Sequence, residues 1–154
     1  MDGNQQVIDQ LNKAAASELA AIMAYSAHHV IQDNWHLGKL SAATMQRSIT
    51  EMHHFEDLMA RIVFLNATPP EYKPDAFRIG KTPLEQVTIE LDMELAGVKA
   101  YNEAIKVCAE VGDNGSRALF EQLVKDEEEH VDYLEGLIAQ CRLMGESDWI
   151  ATLA

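Results

Sequence analysis

The sequence predicts an all-α fold: a four-helix bundle with one long crossover between helices 2 and 3 and a short C-terminal helix, spanning residues 1–154 as a single domain. Three observations predict it. Four long segments carry apolar residues at the alternating three- and four-residue spacing that lines one face of a helix. Of the three breaks between them, two are short and one covers about 17 residues. Eight Gly and four Pro in 154 residues leave little material for the many turns of an all-β chain.

The first helix is expected from about Asn4 to Asn34, with Ile8, Leu11, Ala15, Glu18, Ile22, Tyr25 and His29 on one stripe. The second, from about Lys39 to Leu65, aligns Leu40, Thr44, Glu51, His54, Leu58, Ile62 and Leu65. Thr82-Pro83 signals the start of the third, whose stripe runs Leu84, Val87, Leu91, Glu94, Val98, Tyr101, Ile105, Cys108 to about Val111. The fourth, from about Gly115 to Met144, groups Phe120, Leu123, Glu127, His130, Leu134, Leu137 and Cys141. Gly145 stops it, and Glu146 to Ala154 is expected to add a short final helix.

The short breaks, Trp35 to Gly38 and Gly112 to Gly115, make helices 1 and 2, and helices 3 and 4, antiparallel neighbours. The long break holds Pro69, Pro70, Pro74, Gly80 and Pro83. A helix the length of the second is about 40 Å long, and some 17 extended residues span roughly 56 Å. The segment can therefore run the length of the bundle and start helix 3 at the end where helix 2 starts.

With 25 Asp+Glu against 12 Lys+Arg, the formal charge is -13, which disfavours nucleic acid as a partner and favours attraction of cations. No apolar stretch approaches membrane-spanning length, and Met1 to Gln10 lack the pattern of a secretory signal. Cytoplasmic residence is the expectation. Cys108 and Cys141 are too few for a disulfide framework and too far apart for a CxxC site, so they are expected as buried free thiols.

Much of the negative charge sits inside the apolar patterns. Each stripe is interrupted near mid-helix by a glutamate, at Glu18, Glu51, Glu94 and Glu127, and two of these are followed three residues later by His54 and His130. Residues at i and i+3 share a helix face. The set repeats: adding 76 to 18, 51 and 54 gives 94, 127 and 130. Taken singly, each Glu reads as a solvated edge residue and each His as a satisfied core histidine. Taken together they do not. Buried carboxylates need counter-charge, and the stripes show no Lys or Arg at the matching core positions. Two divalent cations would balance the four carboxylates, with neutral imidazoles as further ligands. One Glu from each of two helices plus Glu-x-x-His from each of the other two is the layout of ferritin-like di-iron carboxylate bundles.

At these residues the chain resembles the bacterioferritins. The likeness rests on Glu18, Glu51-Met52-His53-His54, Glu94 and Asp126-Glu127-Glu128-Glu129-His130. It continues through Val7 to Asn12, Asn34-Trp35, Arg61 to Leu65 and Asp132 to Glu135. The resemblance implies a ferritin-like fold and an intrasubunit ferroxidase centre, a di-iron site in which Glu51 and Glu127 bridge. Glu18 with His54, and Glu94 with His130, would be terminal ligands, and Tyr25 would stand beside the centre. Carboxylate oxygens with one imidazole per metal suit iron, while zinc, cobalt or manganese could occupy the same ligands. An Fe(II) pair there can give two electrons to O2 or peroxide. The implied function is iron storage and detoxification, with ferric mineral laid down inside a hollow shell of 24 subunits. A ferredoxin-like reductant is a further expected partner.

Met52 follows Glu51 and so points about 100° away from the metal-facing stripe. Met45, Ile49, Met52 and Met59 form a second apolar line on helix 2, and Leu19, Met23 and Val30 form one on helix 1. Helices apolar on two faces imply a partner subunit in a twofold contact. By spacing alone the methionines read as an adaptable interface; by resemblance, Met52 is the axial ligand of a haem b shared between two subunits.

The chain also departs from the family pattern. Gln46 and Thr50 stand where a His and an Asp often form an inner-surface iron site, Arg47 stands at an often acidic position, and Ser26 replaces a larger apolar residue near the haem. Arg47 is expected to place positive charge near the inner face. His28, His29, His36 and His53 are read mainly as surface or interface residues. Two alternatives stay open: a haem-carrying shell subunit with reduced mineralisation that co-assembles with a second ferritin subunit, and a rubrerythrin-like di-iron peroxidase. The absence of a CxxC pair lowers the second.

Overall fold

A computed structural model describes residues 1–154. It contains α1 (Gln5–Asn34), α2 (Gly38–Phe64), α3 (Pro83–Glu110), α4 (Asn114–Met144) and α5 (Glu146–Thr152), without strands. The four long helices fall within a residue or so of the segments read from the sequence. Their ends follow from local chemistry. The Asn4 side chain accepts from the Gln6 amide, Thr82 from Glu85 with Pro83 next in line, and Asp113 from Ser116. Each thereby satisfies a donor that the first helical turn leaves free. At Gly112 and Gly145 the chain turns with positive φ (76° and 86°), a conformation that costs glycine little.

α1 packs on α2, α3 on α4, and α1 on α3. The core divides along the bundle axis. At one end Val7, Leu11, Leu58, Ile62, Phe120 and Leu123 form an apolar cluster. At the other, Leu37, Leu40, Val87, Leu134, Trp149 and Leu153 form a second. The glutamates and histidines of the four stripes lie between the two. α5 closes the second end: Trp149 is fully buried, and the Leu153 carbonyl accepts from the amides of Lys39 and Leu40.

The crossover climbs α1 from the first end to the second. The Tyr72 hydroxyl donates to Asn12, the Asp75 amide to the Ala16 carbonyl, and the Gly80 amide to His28 Nε2. α3 therefore starts where α2 starts, as the length argument requires. No helix is long and apolar enough to cross a membrane.

Candidate metal centre

Each of the four long helices contributes at mid-height. Glu18 comes from α1, Glu51 and His54 from α2, Glu94 from α3, and Glu127 and His130 from α4. Ligand atoms of Glu18, Glu51, His54 and Glu127 lie within 4.8 Å of one another, as do those of Glu51, Glu94 and His130. The two groups share Glu51. All four glutamates are at most 3 % exposed.

His54 is held from both sides. Its Nδ1 faces inward, 3.0 Å from Glu51, 3.2 Å from Glu127 and 3.6 Å from Glu18, while Nε2 lies 3.0 Å from Asp126. Burial opposes its charge, but the surrounding Glu127, Glu18 and Glu51 outweigh it and raise its pKa well above the usual imidazole range. His130 Nδ1 sits 3.0 Å from Glu94. Two tyrosines complete the shell: the Tyr25 hydroxyl donates to Glu94 and the Tyr101 hydroxyl to Glu18. Burial, followed by the nearby carboxylates, pushes both phenols well up, so both stay donors.

The expectation that no basic residue enters the core is overturned at Arg47. Its side chain does not sit near an inner surface but turns into the carboxylates. Its Nε pairs with Glu51, and Nη2 lies 2.9 Å from Glu94 and 2.7 Å from Glu127. The signal was present in the spacing. Arg47 stands four residues before Glu51 and fills the gap between Thr44 and Glu51 on the α2 stripe. Desolvation works against the guanidinium, yet Glu51, Glu94 and Glu127 more than offset it and fix the charge. Glu94 responds in kind. Burial would raise its carboxyl, but hydrogen bonds with Glu127 and His130 and the charge of Arg47 draw it below the usual range. Glu51 and Glu127 are pushed up, first by burial and then by neighbouring carboxylates.

The donor set fits divalent metal. Glu51 Oε1, Glu127 Oε1 and His130 Nδ1 make no well-directed hydrogen bond, only close charge contacts with Arg47, His54 and Glu94, so each could exchange its present partner for a cation. The Asp126 contact is the outer support a ligating imidazole commonly has. A cavity of about 20 Å³ touches Glu18, Glu51, Glu94, Glu127 and Gly97, enough for a single small occupant.

Comparison with known proteins agrees with this geometry. A ferritin-like domain model matches residues 8–144. A bacterioferritin of Rhodobacter capsulatus is 44% identical over 139 residues, covering 90% of this chain and 86% of that one. The chain belongs to the bacterioferritin family. The bacterioferritin BfrA of Mycobacterium tuberculosis is 38% identical over 146 residues, covering 95% of this chain and 92% of its own. Among solved structures, a Rhodobacter capsulatus bacterioferritin, described with a metal-free dinuclear site and heme iron in a crystallographic special position, superposes with TM-score 0.98 at 41% identity. That match covers 100% of this chain and 96% of that one. BfrA gives 0.97 at 36% identity, covering 100% and 97%.

Against this bacterioferritin frame, Met52 lies outside the carboxylate cluster and is 40% exposed on α2, with Met23, Val30, Met45 and Ile49 also exposed. Ser26 bonds Ser48 across α1 and α2 (2.9 Å). Gln46 is exposed, and its carbonyl accepts from Thr50. His28 is not a surface residue. It is fully buried, with Nδ1 2.7 Å from Glu90. Tyr101 and Asp126 were not singled out as site residues. Tyr101 lies seven positions after Glu94 on one stripe, a readable signal; Asp126 lies off the stripe and is marked only by its place in the Asp126 to His130 motif.

Proposed function

We propose that the chain is an iron-storage subunit with a ferroxidase centre, oxidising Fe(II) with O2 or peroxide and laying down ferric mineral inside a shell of 24 copies built from twofold dimers. The observation that carries this reading is the convergence of four buried carboxylates and two imidazoles from four helices, with their ligand atoms in two groups that share Glu51. Glu51 and Glu127 would bridge two iron ions; Glu18 with His54 and Glu94 with His130 would complete the ligation. Iron supplies the two-electron chemistry. The protein supplies four negative charges that favour the more highly charged oxidised metal, and an imidazole oriented by Asp126. The hydroxyls of Tyr25 and Tyr101 hold the outer carboxylates in place, and the apolar clusters at both ends keep bulk water out. Haem b would be held between two subunits by Met52 from each, in the cytoplasm, with a ferredoxin-like reductant for release.

A second reading has its own support. Gln46 and Thr50 offer no strong iron ligand, and Arg47 occupies the carboxylates. Both favour a haem-carrying subunit of reduced mineralising capacity that co-assembles with a more active partner. Aerobic Fe(II) addition with native mass and iron stoichiometry separates the two. Iron cores in the homo-oligomer, abolished in Glu94→Ala and His130→Ala, support storage. Oxidation indistinguishable from those variants sinks the ferroxidase reading, and turnover with only two irons per subunit indicates a di-iron peroxidase.

A further inference from the structure

The Arg47 guanidinium sits where the two ligand groups meet. It contacts Glu51, which belongs to both groups, together with Glu94 of one and Glu127 of the other. The oxygens it engages belong to the glutamates that a metal pair would need. Only 8% of Arg47 is exposed, so its charge is committed to these partners rather than to water. An arginine cannot lose its proton to make room, unlike an imidazole or a carboxyl. Metal can therefore take these oxygens only if the whole guanidinium withdraws. A route exists: Nη1 already lies 3.5 Å from the Asp126 carbonyl, beside a carboxylate at the partly exposed rim of α4.

We propose that Arg47 is a resident counter-cation and metal-competitive latch. Seated, it neutralises part of the carboxylate charge and holds the metal-free core together. Binding of divalent metal, above all to the Glu51–Glu94–His130 group, unseats it. Because such coupling is reciprocal, whatever the latch contributes to the metal-free fold it subtracts from metal affinity. The inference rests on the metal-centre reading above and adds to it an affinity set by one residue outside the ligand set.

The test uses Co2+, whose visible absorption reports ligation without redox turnover, on the chelator-stripped full chain. Wild type, Arg47→Gln and Glu94→Gln are titrated, and their melting is followed with and without Co2+. Arg47→Gln should bind the weaker Co2+ about tenfold or more tightly, within the usual range of coupling between two sites. Its metal-free form should melt lower than wild type, while its Co2+-loaded form recovers. Unchanged affinity and unchanged metal-free melting in Arg47→Gln, with Co2+ still lost in Glu94→Gln, overturns the latch and leaves the metal centre standing. No core Co2+ in any of the three overturns the metal centre itself. Should metal-free Arg47→Gln not fold, Arg47→Lys serves, since its single ammonium cannot reproduce the forked contact. Co2+ affinity above wild type supports the latch there, and equal or weaker affinity refutes it.

Discussion

The carboxylates and imidazoles of the core differ sharply in how burial and neighbours treat them, and this has a consequence for stability. His54 is raised above its usual 6.5, and Glu51 and Glu127 above 4.5. A group raised on folding contributes stability that is present below its unfolded pKa and lost as pH rises through its folded one. All three act in that direction. Glu94, drawn below 4.5, acts oppositely: its contribution is present above that value and lost only in strong acid. Metal-free protein is therefore expected to melt progressively lower as pH rises from about 5 to 9, whereas the metal-loaded form should change little, because metal takes the place of those protons. Calorimetry in chelator and in excess Co2+ checks this; metal-free melting that climbs over the range contradicts it. Cys108 gives a simpler case. Burial pushes its thiol up to about 11, so alkylation of the native protein at mildly alkaline pH should be far slower than after unfolding. Intact-mass measurement of reagent uptake decides the point.

At the scale of elements, the crossover holds the site in register, and its anchor is a short buried chain. The Gly80 amide donates to His28 Nε2 at 3.1 Å, so the ring hydrogen is on Nδ1 and donates to Glu90. Gln86 returns a bond to the Gly80 carbonyl. A Cβ on Gly80 would stand 2.6 Å from the Gln86 backbone nitrogen. Gly80→Ala should accordingly destabilise by about 1–3 kcal/mol through overpacking. His28→Ala should cost about 1–3 kcal/mol, since it leaves the buried Glu90 without its hydrogen-bond donor. Urea unfolding measures both, and proteolytic nicking within residues 66–82 should appear in His28→Ala before the helices are cut. Wild-type stability in either variant would mean the crossover is held by something else. The helices themselves were legible from the sequence, because their apolar period and caps are local properties. The His28–Glu90 contact was not, since it joins residues 62 apart on separate helices. The glutamates were readable as a set by their repeat, and the place of Arg47 on the α2 stripe, four residues before Glu51, was readable as well; its contacts with Glu94 and Glu127 were not, since those arrive from α3 and α4.

At the scale of the whole molecule, the chain buries its charge and exposes part of its apolar surface. Met23, Val30, Met45, Ile49 and Met52 are between 37% and 60% exposed on neighbouring faces of α1 and α2. Such a line on a chain of formal charge -13 is not explained by solubility. In a twofold contact every substitution acts twice, once from each subunit. Ile49→Glu would then place two carboxylates in the middle of an apolar seam and strand both from water, a cost of several kcal/mol per contact. It lies on the face of α2 turned away from the buried carboxylates, so the bundle should fold and bind Co2+ as before. Met52→Leu keeps the volume and the apolar character but removes the thioether sulfur that could ligate haem iron. The two variants should therefore separate assembly from haem. Light scattering on purified protein should show Ile49→Glu shifted to monomers and small species, and Met52→Leu assembled like wild type. After reconstitution with haem, the visible spectrum of bis-methionine ligation should appear in wild type and vanish in Met52→Leu. Intact assembly in Ile49→Glu would place the subunit contact elsewhere, and an unaltered haem spectrum in Met52→Leu would remove Met52 from the haem site.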